Sequence, residues 1–454
     1  MTKLRLAIVG AGPAGIYAAD ILLKHERPFD VSIDLFEQLP APYGLVRYGV
    51  APDHPRIKGI ITALREVLDR GDIRIFGNVT FGRDITLDDL KKYYHAVIFS
   101  TGAIRDAALD IPGIDLPGSY GAADFVSWYD GHPDVPREWP LESSSVAVIG
   151  NGNVALDAAR MLAKHADDLL PTEIPGNVYD ILKSSPVTDV HVFGRRGPTQ
   201  VKFSPLELRE LGELRDVDMI VHDEDFEYDD AARAAIASNK QIFVIDKVFT
   251  KWREESREEG FGTASRRLHL HFYAKPLEVV AGPDGRVASF RYERTEPDDA
   301  GGVRGTGEIR SVEVGQVYRA VGYYGSPLDG IPFDERRGVI PNHEGQVLAD
   351  DNEIMPGVYA TGWIKRGPVG LIGHTKSDAM ETISHVVNDQ ASWWSPADPS
   401  EESVVALLEE RGVEYTDLDG WHALDQHEMA LGEPHGRARV KVVPRDEMVK
   451  ISRG

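Results

Sequence analysis

Cysteine is absent from the 454-residue sequence. Without thiols the chain cannot form disulfides, ligate an iron–sulfur cluster, bind a metal through thiolates or use a Cys-x-x-Cys redox centre. This absence excludes two classes of flavoprotein, the dithiol-disulfide reductases and the amidotransferase-type reductases that carry cysteine-ligated clusters. No other set of metal ligands stands out, and we predict no metal site.

Long hydrophobic runs are missing as well. No stretch reaches the roughly 18 apolar residues that a membrane span needs, and the first residues enter a predicted strand without a signal-peptide layout. We therefore expect a cytoplasmic protein without a membrane span. The formal net charge of −23 argues against nucleic acid and anionic membranes as partners, although one basic patch could still face an acidic protein.

What the sequence does contain is an ordinary globular composition with two nucleotide-binding patterns. Hydrophobic residues make up 42% and charged residues 27% of the chain, which is long enough for two or three domains of ~100–200 residues. A single glycine-rich turn would be weak evidence, because such turns also occur where a chain merely bends. Two turns, each between a strand and a helix, predict two dinucleotide sites and hence electron transfer.

The first pattern opens the chain. An apolar strand from Lys3 to Ile8 leads into Gly10-Ala11-Gly12-Pro13-Ala14-Gly15 and a helix, so we predict that Gly10, Gly12, Ala14 and Gly15 hold a pyrophosphate. Glu37 ends the second strand, near the position where an acid binds a ribose hydroxyl and rejects a 2′-phosphate. By itself Glu37 could be a solvated carboxylate. With the glycines it predicts FAD or NAD, and the Pro-Ala-Gly ending favours FAD.

The second pattern follows a predicted strand from Val146 to Ile149. Gly150-Asn151-Gly152-Asn153-Val154-Ala155 forms the turn, with alanine in place of the third glycine, and a helix should run from Val154 to about His165. The next strand, Val190 to Phe193, ends at Arg195-Arg196, where the first domain has Glu37. Guanidinium groups suit a phosphate dianion, so this site is predicted to bind NADP(H). The unusually long spacing is explained by an irregular insertion between Ala166 and Pro186.

Two further segments carry candidate polar groups. In the loop from Leu39 to Lys58, His54 lies in an extended segment between prolines, and the Asp53-His54 pair is equally compatible with a site and with simple turn chemistry. A helix capped at Ser204, with Pro205 at its first position, carries Glu207 on its first turn. A carboxylate there normally just complements the helix dipole.

Matching segments occur near both ends of the chain. Thr101-Gly102-Ala103 follows a strand, and Ala320 to Gly325 and Tyr359 to Trp363 repeat this arrangement late in the sequence. We therefore predict an α/β protein of two Rossmann-like dinucleotide-binding domains, with the NADP domain inserted in the FAD domain. The expected boundaries are 1–103 for the first part of the FAD domain, 104–320 for the NADP domain and 321–454 for the second part of the FAD domain.

The whole set of motifs resembles the adrenodoxin-reductase-like ferredoxin–NADP reductases, particularly their actinobacterial form. The resemblance covers nearly the full length and rests on motifs that occur in order: GAGPAG, GLVRYGVAPDHPRIK, GNGNVALDAAR, GRRGP, LELREL, GWIKRGPVGLIG and GEPHGRARVKV. One place departs from the family pattern: Arg105 comes early in its segment, so no nucleotide-binding role is carried over to it.

The resemblance implies sites residue by residue. It implies an FAD site at Ala14, Glu37, Leu45, Val79, Trp363, Gly370, Leu371 and Ile372. It implies an NADP site at Asn151, Gly152, Asn153, Val154, Arg195, Arg196, Glu207 and Gly370. It also implies that His54 and Glu207 lie near the nicotinamide, where we expect them to hold its carboxamide and to handle the proton that reaches the reduced flavin.

These observations lead to one functional hypothesis and two alternatives. NADPH would give a hydride to FAD, which accepts two electrons together and passes them singly to a ferredoxin or a similar small acidic electron-transfer protein. The alternatives are an NADPH-dependent flavin monooxygenase and a non-enzymatic NADP-sensing flavoprotein. Because the chain itself is acidic, docking of an acidic partner needs local positive charge, for which Arg47, Lys365 and Arg366 are the candidates.

Overall fold

A computed structural model describes residues 3–258, 261–298, 300–368 and 372–454. The strands are β1 (Lys3–Val9), β2 (Asp30–Phe36), β3 (Ile73–Phe76), β4 (Ala96–Phe99), β5 (Arg105–Asp106), β6 (Ser119–Gly121), β7 (Ser145–Ile149), β8 (Asp189–Phe193), β9 (Val217–Val221), β10 (Arg266–His271), β11 (Ala274–Ala281), β12 (Val287–Pro297), β13 (Val303–Glu313), β14 (Gln316–Arg319), β15 (Tyr323–Tyr324), β16 (Asn342–His343), β17 (Gln346–Leu348) and β18 (Ile354–Ala360).

The α-helices lie between these strands and after the last of them. They are α1 (Pro13–Lys24), α2 (Leu45–Tyr48), α3 (Pro55–Lys58), α4 (Ile60–Leu68), α5 (Leu87–Tyr93), α6 (Ala122–Tyr129), α7 (Asn153–Ala163), α8 (Gly176–Lys183), α9 (Pro205–Leu211), α10 (Asp230–Ser238), α11 (Lys240–Glu255), α12 (Trp363–Arg366), α13 (Ile372–Asn388), α14 (Glu401–Glu410), α15 (Leu418–Gly432) and α16 (Arg445–Arg453). Among the described residues, no helix is both long enough and apolar enough to cross a membrane.

One sheet joins the two ends of the chain. Its seven strands lie in the order β16-β17-β18-β4-β1-β2-β3. The pairs from β18 to β3 are parallel, and the edge strands β16 and β17 are antiparallel. Strands β1 and β4 are buried almost throughout, because elements cover both faces of the sheet. The late strands β16 to β18 thus complete a sheet that the first hundred residues begin.

A second sheet is built entirely from the middle of the chain. Its six strands lie in the order β6-β14-β7-β8-β10-β9, and every pair is parallel. Strands β11 to β13 form a separate antiparallel sheet after β10. The chain passes between the two large sheets twice, and there β5 pairs with β15. This arrangement confirms the predicted α/β fold with one Rossmann-like domain inserted in another.

The two predicted turns have the expected geometry. Gly10 has a φ of +110°, and a Cβ atom there would lie 2.5 Å from the carbonyl oxygen of Ser100. A Cβ at Gly150 would overlap the carbonyl oxygen of Ala320. Only glycine lets each turn pack directly on the end of the neighbouring strand. Both turns therefore lie at the carboxyl edge of their sheet, where parallel α/β folds bind ligands.

The segment between 166 and 186 differs from the prediction. It is not irregular throughout, since it contains the helix α8. Val178 and Leu182, one helical turn apart, are buried in the core of the inserted domain. Their burial stabilises a helix that the surrounding Pro and Gly residues obscured in the sequence.

The end of the chain connects the two domains. Lys441 is buried, and its Nζ donates hydrogen bonds to the carbonyl oxygens of Arg47 (2.7 Å) and Asp130 (2.9 Å). The same ammonium group lies 2.8 Å from a carboxylate oxygen of Glu173. Arg47 belongs to α2, and Glu173 belongs to the insertion between α7 and α8. One C-terminal side chain thus bonds to both parts of the molecule.

Candidate active site

A large cavity lies at the carboxyl edge of the seven-stranded sheet. Its volume is about 490 Å³, within the usual range for small-molecule sites. Seven of the residues predicted for the first dinucleotide site line it: Gly10, Gly12, Ala14, Glu37, Leu45, Val79 and Trp363. Gly15 lies behind the turn, where it allows α1 to pack closely against Gly10 and Ser100. The sequence therefore identified much of the wall of this cavity.

The structure does not test three other residues that were predicted for the same site. Gly370 and Leu371 lie outside the described residues, and Ile372 begins α13. Each therefore remains a prediction.

Polar atoms in the cavity suit a ligand that carries hydroxyl groups. One oxygen of the Glu37 carboxylate accepts a hydrogen bond from the backbone N–H of Ala11 (2.8 Å), and the other accepts one from Leu39 (3.1 Å). Burial raises the pKa of Glu37, and these backbone donors oppose the rise. The Thr101 hydroxyl, also in the wall, is buried and has no hydrogen-bond partner among the described residues. An unpaired buried hydroxyl is costly, so a bound polar group would stabilise it.

The second turn lies beside this cavity. Val154, on the first turn of α7, contributes to the cavity wall. Asn153 accepts a hydrogen bond from the backbone N–H of Ser204 (2.8 Å), and the Asn151 carbonyl accepts one from Lys202 (2.9 Å). These bonds hold the start of α9 against the turn. As predicted, α9 begins at Pro205, with the Ser204 hydroxyl accepting from the Glu207 N–H.

A smaller cavity of about 320 Å³ contains the paired arginines. Arg195 is exposed and Arg196 half-buried, and Lys275 also lines the cavity. Within the part of the chain that the structure describes, neither Arg195 nor Arg196 forms an ion pair, although Asp298 is a fellow lining residue. The Thr295 hydroxyl, on β12, donates to the Arg195 carbonyl (2.9 Å) and so fixes the backbone that follows β8. Two free guanidinium groups in a concave site suit an anion.

His54 and Glu207, distant in sequence, meet in a buried cluster. The Nε2 atom of His54 lies 2.8 Å from Asp157 Oδ1 and 3.1 Å from Glu207 Oε2, and its Nδ1 atom lies 2.9 Å from Glu210 Oε2. Only 3% of the His54 surface is exposed. The His54 side chain makes no capping bond to α3, so it is committed to this cluster and not to turn chemistry.

Arg160 is the cation at the back of the cluster. Its Nε and Nη2 atoms each donate to the Asp53 carboxylate at 2.9 Å, and its Nη1 atom lies 2.8 Å from Asp157 Oδ1. Lys164 also contacts Asp53, at 2.6 Å. Sequence reasoning missed Asp157, Arg160 and Lys164. The available signal was the spacing of Asp157 and Arg160, which places both on one face of α7, with Lys164 directly after the helix.

The charge state of His54 follows from this surrounding. Burial disfavours the imidazolium ion, and Arg160 Nη2, only 2.7 Å from His54 Nε2, also opposes it. The hydrogen bonds to Asp157 and Glu207 outweigh both effects and raise the pKa of His54 to about 10. His54 is therefore charged at neutral pH, and its Nε2 atom donates to the Asp157 carboxylate.

We predicted that three basic residues form a patch for partner docking. This prediction is wrong for two of them, because they are buried. Arg47 is buried and pairs with Glu428 at 2.5 Å. Lys365 is also buried and pairs with Asp378 at 2.9 Å. Arg366 is partly exposed, but it too contacts Asp378. These side chains neutralise buried carboxylates and do not form a free positive surface.

Comparisons with known proteins agree with this geometry. A family model described as pyridine nucleotide-disulphide oxidoreductase matches residues 4–195. The chain is 38% identical to the NADPH-ferredoxin reductase FprA of Mycobacterium leprae, covering 99% of this chain and 98% of that protein. It is 37% identical to the human mitochondrial NADPH:adrenodoxin oxidoreductase, covering 98% and 91%. A solved structure of Mycobacterium tuberculosis FprA in complex with NADPH is 37% identical, covers both chains fully and superposes with a TM-score of 0.91.

Two Rossmann-like folds, one inserted in the other, together with these comparisons define an FAD- and NADP(H)-dependent oxidoreductase. More specifically, the chain belongs to the family of the NADPH-ferredoxin reductases and the adrenodoxin reductases. The cavity fits FAD on structural grounds, because its glycine turn, its Glu37 carboxylate and its unpaired Thr101 hydroxyl match a dinucleotide.

The raised pKa of His54 predicts a pH-dependent stability. Because the pKa in the folded protein (about 10) exceeds the usual value of 6.5, protonated His54 contributes full stability below pH 6.5 and loses the contribution as the pH rises toward 10. The thermal unfolding midpoint should fall over this range in the unaltered protein and fall less in His54→Gln. His427→Gln, at an exposed position on α15, is the control. Parallel curves for all three proteins would contradict the assignment.

Proposed function

We propose that this protein transfers a hydride from NADPH to FAD and then single electrons to a ferredoxin-type iron–sulfur protein. The observation that carries the proposal is the contribution of Val154, from the second nucleotide turn, to the wall of the first cavity. Two dinucleotides bound at these turns would therefore meet. FAD, when bound, supplies the exchange between paired and single electrons. The printed names of the relatives support ferredoxin-type partners.

We assign the FAD site to the cavity lined by Gly10, Gly12, Ala14, Leu45 and Val79, with Gly15 allowing close helix packing. A carboxylate has about four acceptor positions, so Glu37 can accept ribose hydroxyls in addition to its two backbone donors.

We assign the NADP site to the turn Asn151–Val154 and to the arginine pair. The start of α7 presents backbone N–H groups to a pyrophosphate, and its dipole favours that negative charge. Arg195 and Arg196 would bind the 2′-phosphate, since they follow β8 at the position where Glu37 follows β2.

His54 and Glu207 act as positioning groups in this proposal. A proton donor works best when its pKa lies near the working pH, and the pKa of His54 is raised to about 10. His54 therefore holds the carboxylates of Asp157 and Glu207 in place. Glu207, with oxygen lone pairs left over, would accept a hydrogen bond from the nicotinamide carboxamide.

The domain boundaries remain part of the proposal, at 103/104 and 320/321. Their support is that β5 and β15, which pair at the crossing point, lie just beyond these positions. A cytoplasmic location is likewise proposed, and cell fractionation would test it.

The proposed reaction predicts two successive colour changes. NADPH should bleach the flavin absorbance without oxygen, and a ferredoxin added next should become reduced. A monooxygenase would instead consume NADPH with oxygen in air and leave the ferredoxin oxidised. Failure of NADPH to bleach the flavin would favour the NADP-sensing alternative and contradict the proposal.

Arg195 and Arg196 should select NADPH over NADH. A charge-assisted hydrogen bond contributes about 1.5–3 kcal/mol, so Arg195→Ala should weaken NADPH binding by roughly 10- to 150-fold. NADH, which lacks the 2′-phosphate, should be almost unaffected. Arg291→Ala is the control, because Arg291 is an exposed arginine of the same inserted region that pairs with Glu278. Steady-state constants with both coenzymes decide the matter, and equal losses for the two would refute the role.

His54 and Glu207 should act on one nicotinamide. Glu207→Gln and His54→Gln should slow flavin reduction by NADPH by roughly 10-fold or more while leaving reduction by dithionite unchanged. The double variant should lose less than the product of the single effects. Glu210→Gln is the matched control, since Glu210 contacts the same imidazole from the same helix but is 26% exposed. Stopped-flow rates that are equal in all variants would leave Glu207 with a helix-dipole role.

Because Arg47 and Lys365 are buried, other basic residues must form the docking surface for an acidic partner. Arg336 and Arg337 are exposed and form no side-chain ion pairs within the described ranges. Their loop bonds to the segment after β15, where the Gly325 N–H donates to the Gly338 carbonyl (2.8 Å). Exposed Ile104 and Val321 lie at the same crossing point, and Ile104 lines the FAD cavity. We propose this surface as the docking site.

This docking site predicts a salt-dependent reaction. Replacing Arg336 and Arg337 by Glu should raise the KM for ferredoxin by roughly 10-fold at low salt, because rim charges mainly affect encounter. Reduction of a small neutral dye should not change. Arg291→Glu is the control for a charge reversal elsewhere on the surface. Identical salt responses for ferredoxin and the dye would rule out the docking site.

A further inference from the structure

Three histidines lie together on one face of the inserted domain, outside both cavities. His191 on β8 is directly opposite His269 on the neighbouring strand β10, and His271 is two residues further along β10. Alternate residues of a strand point to the same face, so the His-x-His pattern aligns these rings. One ring nitrogen from each residue lies within 4.8 Å of the others, and His191 Nδ1 is 3.0 Å from His271 Nε2.

Two neighbours support a ligand at this point. The Asp189 carboxylate lies 3.2 Å from His269 Nε2 and so orients that ring, as carboxylates commonly do for metal-bound histidines. The His222 ring stacks 4.8 Å from that of His271. The Nε2 atom of His222 is buried without a hydrogen-bond partner among the described residues. A buried polar atom of this kind is costly unless something binds it.

The three rings are partly accessible from solvent. His269 is 15% exposed and leaves a path for an ion from solvent.

A second group of potential ligands, His54 with Asp157 and Glu207, offers a contrast. There Arg160 lies 2.8 Å from Asp157 and already neutralises the carboxylates. Two arginines lie near the three histidines, and both are bound to carboxylates. Arg267 is held on Asp189 at 2.6 Å, and Arg294 on Asp225 at 2.7 Å. The histidine group is therefore the better site for a cation.

We propose that His191, His269 and His271 bind one divalent transition-metal ion of the zinc type. Zn–N bonds of about 2.0–2.1 Å place tetrahedral donors roughly 3.3 Å apart. The three rings stack on one another with interplanar angles of 10°, 18° and 27°, so binding would rotate them until one nitrogen of each faces the ion. His222 or water completes the coordination. The ion joins β8 to β10, and β8 continues into Arg195. It is a structural ion, independent of the electron transfer proposed above.

The test measures bound metal in the untagged holoenzyme. The protein is equilibrated with Zn²⁺ in excess Mg²⁺, desalted and analysed for zinc per FAD. The variants are His191→Gln and His269→Gln, and the control is His427→Gln, an exposed histidine on α15. FAD content and circular dichroism establish that each variant is folded. In parallel, electron paramagnetic resonance of the oxidised protein with Cu²⁺ reports nitrogen ligands.

The proposal expects His269→Gln to retain one zinc fewer than His427→Gln, and the Cu²⁺ spectrum to lose its nitrogen coupling in the same variant. Should His191→Gln or His269→Gln fold poorly, Asp189→Asn leaves all three ligands in place and should weaken zinc binding by roughly 10- to 100-fold. Zinc contents and affinities that are the same in His269→Gln, Asp189→Asn and His427→Gln would overturn the site. Retained zinc that is lost only in His54→Gln would overturn it as well.

Discussion

The buried guanidinium of Arg160 is the constraint around which the two domains meet. It belongs to the helix of the second nucleotide turn, yet it donates two hydrogen bonds to Asp53 from the loop of the first domain. A buried charge that loses its partner destabilises a protein by about 3–5 kcal/mol. The loop that carries His54 is therefore held against the inserted domain, and the same contact delivers His54 to Glu207.

Other buried charges repeat this arrangement on a smaller scale. Lys441, near the end of the chain, bonds to the backbone of both domains and to Glu173. Neighbouring charges of Lys441 and Lys58 hold the pKa of Glu173 well below its usual range despite burial. Domain contacts made of charged hydrogen bonds have strict geometry, since an ion pair tolerates little displacement. They suit an enzyme in which two bound cofactors must be brought face to face.

The absence of cysteine limits what the match to the family model implies about the reaction. The matching family model is described by disulphide chemistry, but this chain has no thiol with which to perform it. What the chain shares with that model is the dinucleotide-binding framework over residues 4–195. Fold alone does not set the reaction, and the residues around the cavities decide it.

The sequence by itself determined the features that depend on local backbone and short spacing. Gly10 and Gly150 required tight turns against a neighbouring strand, and both make them. The helix cap at Ser204 is likewise local, because it depends on residues adjacent in the chain.

Only the tertiary structure decided the contacts between distant segments. From the sequence, His54 was equally compatible with a role in a site and with simple turn chemistry. Arg47 and Lys365 were predicted to be surface charges. Folding buries all three and gives each a carboxylate partner from another segment. For Arg47 and His54 that partner is more than a hundred residues away in the sequence. The histidines of β8 and β10 became neighbours in the same way, through strand register. The physical reason is that burial and charge pairing are set by which segments meet, and that is a property of the packed fold.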